Sequence, residues 1–245
     1  MIDKQFTEIS LLEYSHFWYK ARREIIKSVL SHFKLLNKTF AVLDIGAANG
    51  TNIEYFKSDY PHIKGMEIND NALEISKLKL PTIEIQKGCL PYNIPFENER
   101  FDLIFLFDVL EHIEDDVAAL NEIYKRLNPG GTLIMTVPAY QFLFGGFDVY
   151  SHHFRRYSAR TLNAVIKQTE FTEFFNSYFN FFLFPIILIS RMLENIFKKS
   201  SYSIKMPGCL TNWLFYGIMS SEKKRLSIGK RYPLGSSLLV LLRKN

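Results

Sequence analysis

The sequence predicts an α/β protein: a doubly wound, mostly parallel sheet of seven strands, with an antiparallel last strand and a helical insertion just before it. Two observations carry the prediction. Apolar runs of strand length alternate with helical patterns from residue 40 to residue 137, and such alternation builds parallel strands joined by crossover helices. The alternation then fails across an aromatic, basic stretch and resumes in Ser236-Ser-Leu-Leu-Val-Leu-Leu242, so the stretch reads as an insertion that joins an antiparallel pair at the sheet edge.

Each element has its own signal. Residues 6–33 read as helix, with aromatics at Phe17, Trp18 and Tyr19 and a basic step at Arg22-Arg23; residues 1–35 form an N-terminal helical cap. The short apolar strand 40–44 runs into a small-residue turn, and a helix begins behind it at 52–56. Strand 63–68 ends in Glu67 and Asn69-Asp70, and either Asn69 or Asp70 caps the helix 71–80. A short strand follows at 83–86. The run Phe101-Asp-Leu-Ile-Phe-Leu-Phe107 is apolar enough for a buried parallel strand. Helix 116–127 is stopped by Asn128-Pro129-Gly130-Gly131, and strand 132–137 follows. Helix 158–168, strand 173–178 and the C-terminal strand complete the domain, which comprises 1–178 and 234–245; the insertion is 179–233.

Composition narrows the class. With 245 residues and 47% apolar content the chain buries one full α/β core. Aromatics reach 15%, including 22 Phe, and thicken after Phe171. A net charge of +5 and a pI of about 9.0 suit an anionic partner or a solvated basic face. Two isolated cysteines, Cys89 and Cys209, make neither a disulfide framework nor a zinc site and fit a reducing compartment. The polar N-terminus carries no secretory signal, which places the chain in the cytoplasm. The apolar block 179–190 is about a dozen residues, short of the ~20 that span a bilayer, so it lies on a membrane or packs in a core.

The informative run is Asp44-Ile45-Gly46-Ala47-Ala48-Asn49-Gly50. Small residues straight after a strand let backbone approach a ligand, and the helix behind them offers free N–H groups. The spacing is not the dinucleotide fingerprint, and no Gly-Lys-Ser/Thr of a phosphate loop is present. Glu67 ends the next strand, where a carboxylate can accept both ribose hydroxyls. Singly, Asp44 reads equally as a turn cap and Glu67 as a surface acid; at two successive strand ends they favour an adenosyl ligand.

This series resembles the class I S-adenosylmethionine-dependent methyltransferases, the UbiE/UbiG-like methyltransferase-domain family with its Rossmann-like sheet. The resemblance runs through Leu90-Pro-Tyr-Asn-Ile-Pro-Phe96, Asp108-Val-Leu-Glu-His112 and Leu127-Asn-Pro-Gly-Gly131 in order. It implies S-adenosylmethionine as cofactor. It places Asp44, Gly46 and Gly50 around the methionine part, with Ala47, Ala48, Asn49, Tyr19 and Arg22 as further cofactor-binding residues. Glu67 and Ile68 would hold the ribose, Gly88, Cys89 and Leu90 the adenine, and Phe107 and Asp108 the wall beside the sulfonium. Two positions depart from the family pattern. Ala48 replaces a glycine, a mild change at negative φ, and Cys89 replaces an acid that reads the adenine amino group, which predicts a lowered affinity.

Methyl transfer from a sulfonium requires alignment and exclusion of water but no metal, and an oxygen acceptor also requires a base. Trp18, Tyr19 and Tyr140 are candidate rings for cation–π contact with the sulfonium. His153, oriented by Asp148, is the first base candidate, or the two merely pair to hold a lid; His112 is the second, or it caps a helix turn. Tyr140, Arg155, Arg156 and Tyr157 are candidate acceptor-binding residues, the arginines as a bidentate grip on an anion or as a solvated basic turn. The His153-Phe-Arg155-Arg156-Tyr157 motif and the apolar insertion resemble a sub-group linked to envelope glycan, lipid-linked or secondary metabolism.

The insertion joins apolar blocks 179–190 and 213–218 to basic runs Lys198-Lys199 and Lys223-Lys224-Arg225. That pattern fits a lid over a hydrophobic acceptor, then peripheral contact of residues 179–225 with the inner face of a membrane, then a homodimer interface. An O-methyltransferase for a lipid-linked acceptor such as a polyprenyl-linked glycan leads. A quinone or other small-molecule acceptor is the nearest rival, and an inactive cofactor-binding scaffold is the non-enzymatic one. Nucleic acid is disfavoured, since Asp108-Val-Leu-Glu stands where an Asn/Asp-Pro-Pro-aromatic tetrad would be expected.

Overall fold

The computed structural model describes residues 12–197 and 206–245. Residues 6–11 of the expected first helix and the basic pair Lys198-Lys199 lie outside the described residues. Residues 12–15 are helical, and His16 interrupts the helix by taking extended backbone (ψ 133°), its ring accepting the Trp18 N–H; helix α1 (Phe17–His32) starts there rather than continuing from residue 6.

The alternation resolves into β1 (Ala41–Ile45), α2 (Thr51–Phe56), β2 (His62–Glu67), α3 (Asp70–Lys79), β3 (Ile85–Lys87) and β4 (Phe101–Phe107). It continues with α4 (Asp116–Arg126), β5 (Leu127–Pro138), α5 (Gly146–Tyr150), α6 (Ala159–Ile166) and β6 (Thr172–Phe179). The insertion supplies α7 (Phe184–Phe197), α8 (Cys209–Ser221) and α9 (Lys223–Leu226), and β7 (Ser237–Arg243) closes the sheet. The strand order is β3-β2-β1-β4-β5-β7-β6, with β7 antiparallel to both neighbours and the β1–β5 pairings parallel. Asn69, not Asp70, caps α3, its Oδ1 accepting the Ala72 N–H at 3.1 Å.

Successive residues of each strand face opposite sides, and both sides are apolar because both are covered. Val42, Leu103, Phe105, Leu239 and Leu241 face α1, α2, α8 and α9. Leu43, Ile45, Ile104, Leu106 and Val240 face α4 and α6. A one-residue slip would exchange two equally apolar faces, so the helices behind each strand, more than polarity, fix its register.

One boundary differs from the sequence expectation. Asn128-Pro129-Gly130-Gly131 is not a turn between helix and strand but lies within β5, at a register shift against Phe101 and Leu103. Gly130 takes φ +78° there, and its N–H donates to the Lys244 carbonyl at 2.9 Å. A left-handed glycine serves one class of bulge as it serves a helix end, so the sequence signs of the two coincide.

Candidate functional site

The C-terminal ends of β1, β2, β4 and β5 open into two adjoining cavities that share Gly46 and His112. The smaller, about 130 Å³, is lined by Met66, Ile68, Gly88, Cys89, Leu90 and Ile113 among others. The larger, about 550 Å³, lies under α1 and α7. Ligands in open α/β sheets bind at this end of the strands.

The β1–α2 loop forms the boundary. Gly46 has φ +77°, and a Cβ there would stand 2.5 Å from Val109 Cγ2, so only glycine fits. Ala48 has φ +46°, and the mild reading of that replacement fails: a side chain in the left-handed region costs roughly 1–2 kcal/mol. Glu67 pins the strained loop, its two oxygens accepting the N–H groups of Ala48 and Asn69, each at 2.8 Å. Beneath lie two buried acceptors without partners, Asp44 Oδ2 and Asn49 Oδ1. Burial above all pushes the Asp44 carboxyl up to about 8, with Glu67 and Glu13 adding to it and Arg22 opposing. Two orphaned acceptors under a glycine-bounded loop fit a ligand that brings N–H donors and positive charge, as the amino-acid end of S-adenosylmethionine would.

Arg22 reaches down from α1. Its guanidinium bonds the carboxylate of Asp108, a residue at φ +56° just past β4, and lies 4.8 Å from the Trp18 ring and 5.8 Å from Phe107. Trp18, Tyr19, Phe107 and Asp108 all line the larger cavity. Burial raises the Tyr19 hydroxyl to about 12, so it stays a neutral donor.

Across the cavity Asp148, fully buried, accepts from His153 Nδ1 at 2.8 Å, from Arg156 at 2.8 and 2.9 Å, and from the Gly145 N–H at 2.8 Å. Burial alone would raise this carboxyl, but those donors together hold it down at about 2. With Nδ1 engaged, Nε2 is the His153 nitrogen left to exchange a proton. His112 meets the His153 ring edge-on at 4.5 Å, and its pKa falls to about 4 through burial first and the neighbouring imidazole second. Glu111 is buried with Oε2 unpartnered, and desolvation followed by repulsion from Asp108 drives its carboxyl well up. Ligand atoms of Glu111, His112 and His153 lie within 4.8 Å of one another, near enough to share one cation.

Of the residues singled out in the sequence, Tyr19, Arg22, Gly46, Ala48, Ile68, Gly88, Cys89, Leu90, Phe107, Asp108, His112, His153 and Arg156 line one or other cavity. Asp44, Ala47, Asn49, Gly50 and Glu67 line neither cavity and lie behind or within the loop. The acceptor-side expectations need correction. Arg155 is spent outside the cavity on Asp116 and the Glu114 carbonyl, and Tyr157 is buried with its hydroxyl on Asp116. Arg156 does line the cavity, but its bidentate grip is taken by Asp148 rather than left for an anion. Tyr140 stacks on Tyr178 at 5.1 Å and lines neither cavity. Residues missed in the sequence include Glu13, Glu111, Asn180, Arg191, Glu194 and the pair Ser236-Ser237. Glu111, beside His112, was the one with a local signal; the others come from segments that only the fold brings to the cavity.

Residues 17–173 match the family described as "Methyltransferase domain". The chain is 30% identical over 151 residues to a mitochondrial ubiquinone biosynthesis O-methyltransferase of Candida albicans, covering 57% of this chain and 46% of that one. It is 33% identical over 94 residues to the ubiquinone/menaquinone biosynthesis C-methyltransferase UbiE of Psychromonas ingrahamii, covering 35% and 37%. The chain thus spans about half or less of the length of these two relatives. Among solved structures, a phosphoethanolamine N-methyltransferase 2 of Haemonchus contortus with S-adenosylhomocysteine superposes with a TM-score of 0.63 at 16% identity, over 98% of this chain and 58% of that one. A glycine-bounded loop on β1, an acid closing β2, the β3-β2-β1-β4-β5-β7-β6 order and a family match over most of its length place the chain in the methyltransferase-domain family, with the class I S-adenosylmethionine-dependent fold.

Proposed function

We propose that the protein is an S-adenosylmethionine-dependent methyltransferase acting on an oxygen of a hydrophobic or lipid-linked acceptor, such as a polyprenyl-linked glycan. The observation that carries the reading is the meeting of two cavities at Gly46 and His112. The smaller suits the adenine, and the larger has room for both the methionine part and an acceptor. S-adenosylmethionine, when bound, supplies an electrophilic methyl group for in-line displacement.

The chain's own residues account for the rest. Arg22, bonded to Asp108 but with Nε unpartnered, would hold a carboxylate, and the unpartnered Asp44 Oδ2 an ammonium group. Trp18, Tyr19 and Phe107 offer π faces to a cation and exclude water. His153 Nε2 takes the acceptor proton while Asp148 holds Nδ1, and Arg156 keeps Asp148 ionised for that purpose. Ile187, Phe147 and Phe17 supply the apolar part of the acceptor wall.

A quinone-type acceptor is the second reading, favoured by the names of the two relatives above, and it would use the same apolar wall. Ala48 and Cys89 motivate the third, an inactive scaffold. Calorimetric titration with S-adenosylmethionine and S-adenosylhomocysteine comes first, with micromolar binding of both expected. Labelled methyl transfer into fractionated lipid extracts then separates glycan from quinone acceptors. Binding of neither compound supports the scaffold and ends the enzymatic reading.

A further inference from the structure

The chain's positive charge is unevenly placed. Residues 179–233 hold nine Lys and Arg against two acids, a net +7, while the rest of the chain holds 21 against 23. Both acids of the insertion are already engaged. Glu222 is buried against the N–H groups of Asn180, Phe181 and Phe182, and Glu194 pairs with Arg191 at 2.7 Å. Lys224, Lys230 and Arg231 are exposed.

Within this basic segment α8 contains no charged residue. Leu210, Trp213 and Leu214 are 76, 69 and 48% exposed and share one stripe of the helix, being three and four residues apart. On α7, Ile186, Ile189 and Leu193 form a second exposed apolar stripe, 53, 58 and 48% exposed. Apolar stripes on short helices of a segment with strong net positive charge match the interfacial region of an anionic bilayer, where apolar side chains enter the acyl boundary and lysines meet headgroup phosphates.

The other side of α8 is a latch. Asn212 Oδ1 accepts the Phe17 N–H at 2.8 Å, and its amide donates to the Ser15 carbonyl at 2.9 Å. One side chain thereby clasps both sides of the His16 break. The residues that flank that break, Glu13, His16, Trp18 and Tyr19, wall the larger cavity.

We propose that α8 docks on an anionic lipid surface through Leu210, Trp213 and Leu214, and that docking, acting through Asn212, holds the N-terminal segment closed over the cofactor. The proposal rests on the reading of an apolar acceptor, for which it names the surface of supply. Asn212 is a positioning residue here: it touches neither cofactor nor acceptor.

The test uses the full chain with vesicles of phosphatidylcholine, with or without phosphatidylglycerol. Co-flotation is expected with the anionic vesicles only, weakening with salt and lost in Leu210→Ser/Leu214→Ser. S-adenosylhomocysteine affinity should rise about fivefold or more on anionic vesicles. In Asn212→Ala flotation should persist while the lipid-dependent gain disappears; a merely structural Asn212 would instead lower affinity equally with and without lipid. Absence of flotation, flotation indifferent to Leu210 and Leu214, or a self-associating protein made monomeric by the same pair of substitutions overturns the docking. Flotation without any gain in affinity overturns the latch. Failure to bind S-adenosylhomocysteine both with and without lipid would sink the methyltransferase reading and the latch, while the docking is still decided by flotation, which is measured without the cofactor.

Discussion

At the scale of single residues, two positions where the ligand should sit carry backbone strain. Ala48 and Asp108 both hold positive φ just past parallel strands, and each is fixed by a partner across the site, Glu67 for one and Arg22 for the other. Ala48→Gly should therefore stabilise the protein by about 1 kcal/mol, read as a higher urea midpoint. Cys89→Asp should tighten S-adenosylmethionine binding in calorimetry, because a carboxylate accepts from the adenine amino group better than a thiol does. Asp148 gives a pH signature. Its carboxyl is held at about 2 against an ordinary 3.8, so its stabilisation is complete above about pH 4 and is lost as pH falls towards 2. The loss amounts to about 2 kcal/mol, and Asp148→Asn should flatten that acid limb in urea titrations between pH 5 and 2. Chelation tests the Glu111–His112–His153 group: turnover unchanged by a chelator is expected if His153 acts as a base unaided, whereas a loss restored by a divalent cation would assign the three to a metal.

At the scale of elements, the legible parts were those with a local cause. The strand Phe101–Phe107 could be bounded to the residue because its apolar run is sharply framed, and the cap of α3 was narrowed to Asn69 or Asp70 by their side-chain chemistry. The cofactor loop was legible for the same reason, since a glycine-rich turn after a strand is written in consecutive residues. The acceptor side was not. Arg155 and Tyr157 look like ligands in the sequence, yet their partner Asp116 comes from α4 and claims both. Arg191 and Glu194 reach the cavity only because α7 folds back over it, and no local pattern encodes that return. What fixes the return is Glu222, whose carboxylate gathers three N–H groups at the start of the insertion. Its pKa is raised by burial to about 7, so it is a costly acceptor that those N–H groups must satisfy. Glu222→Ala should cost about 3 kcal/mol and speed amide hydrogen exchange at residues 180–182, while exchange in β4 follows only the global loss.

At the scale of the whole molecule, the insertion shares one core with the sheet. Met219 and Leu226 pack in the same cluster as Phe105 and Leu239, and Lys223 pairs with Glu24 of α1 at 2.6 Å. Heat or urea should thus unfold sheet and insertion together. In Trp213→Phe, which leaves Trp18 as the one tryptophan, Trp18 fluorescence and far-ultraviolet circular dichroism should give coincident transitions, and a separate early phase would show the helices to be an independent unit.

The position of β7 has a consequence for biosynthesis. It lies between β5 and β6, although β6 is made first and the whole insertion is made in between. Until β7 leaves the ribosome, β6 has no neighbour in the sheet and β5 presents an open edge. The nascent chain must therefore carry two unpaired edges and a set of exposed apolar helices from the completion of β6 until β7 is in place. Such an intermediate invites chaperones, and it gives an insertion that binds lipid a reason to meet a membrane before the fold has closed.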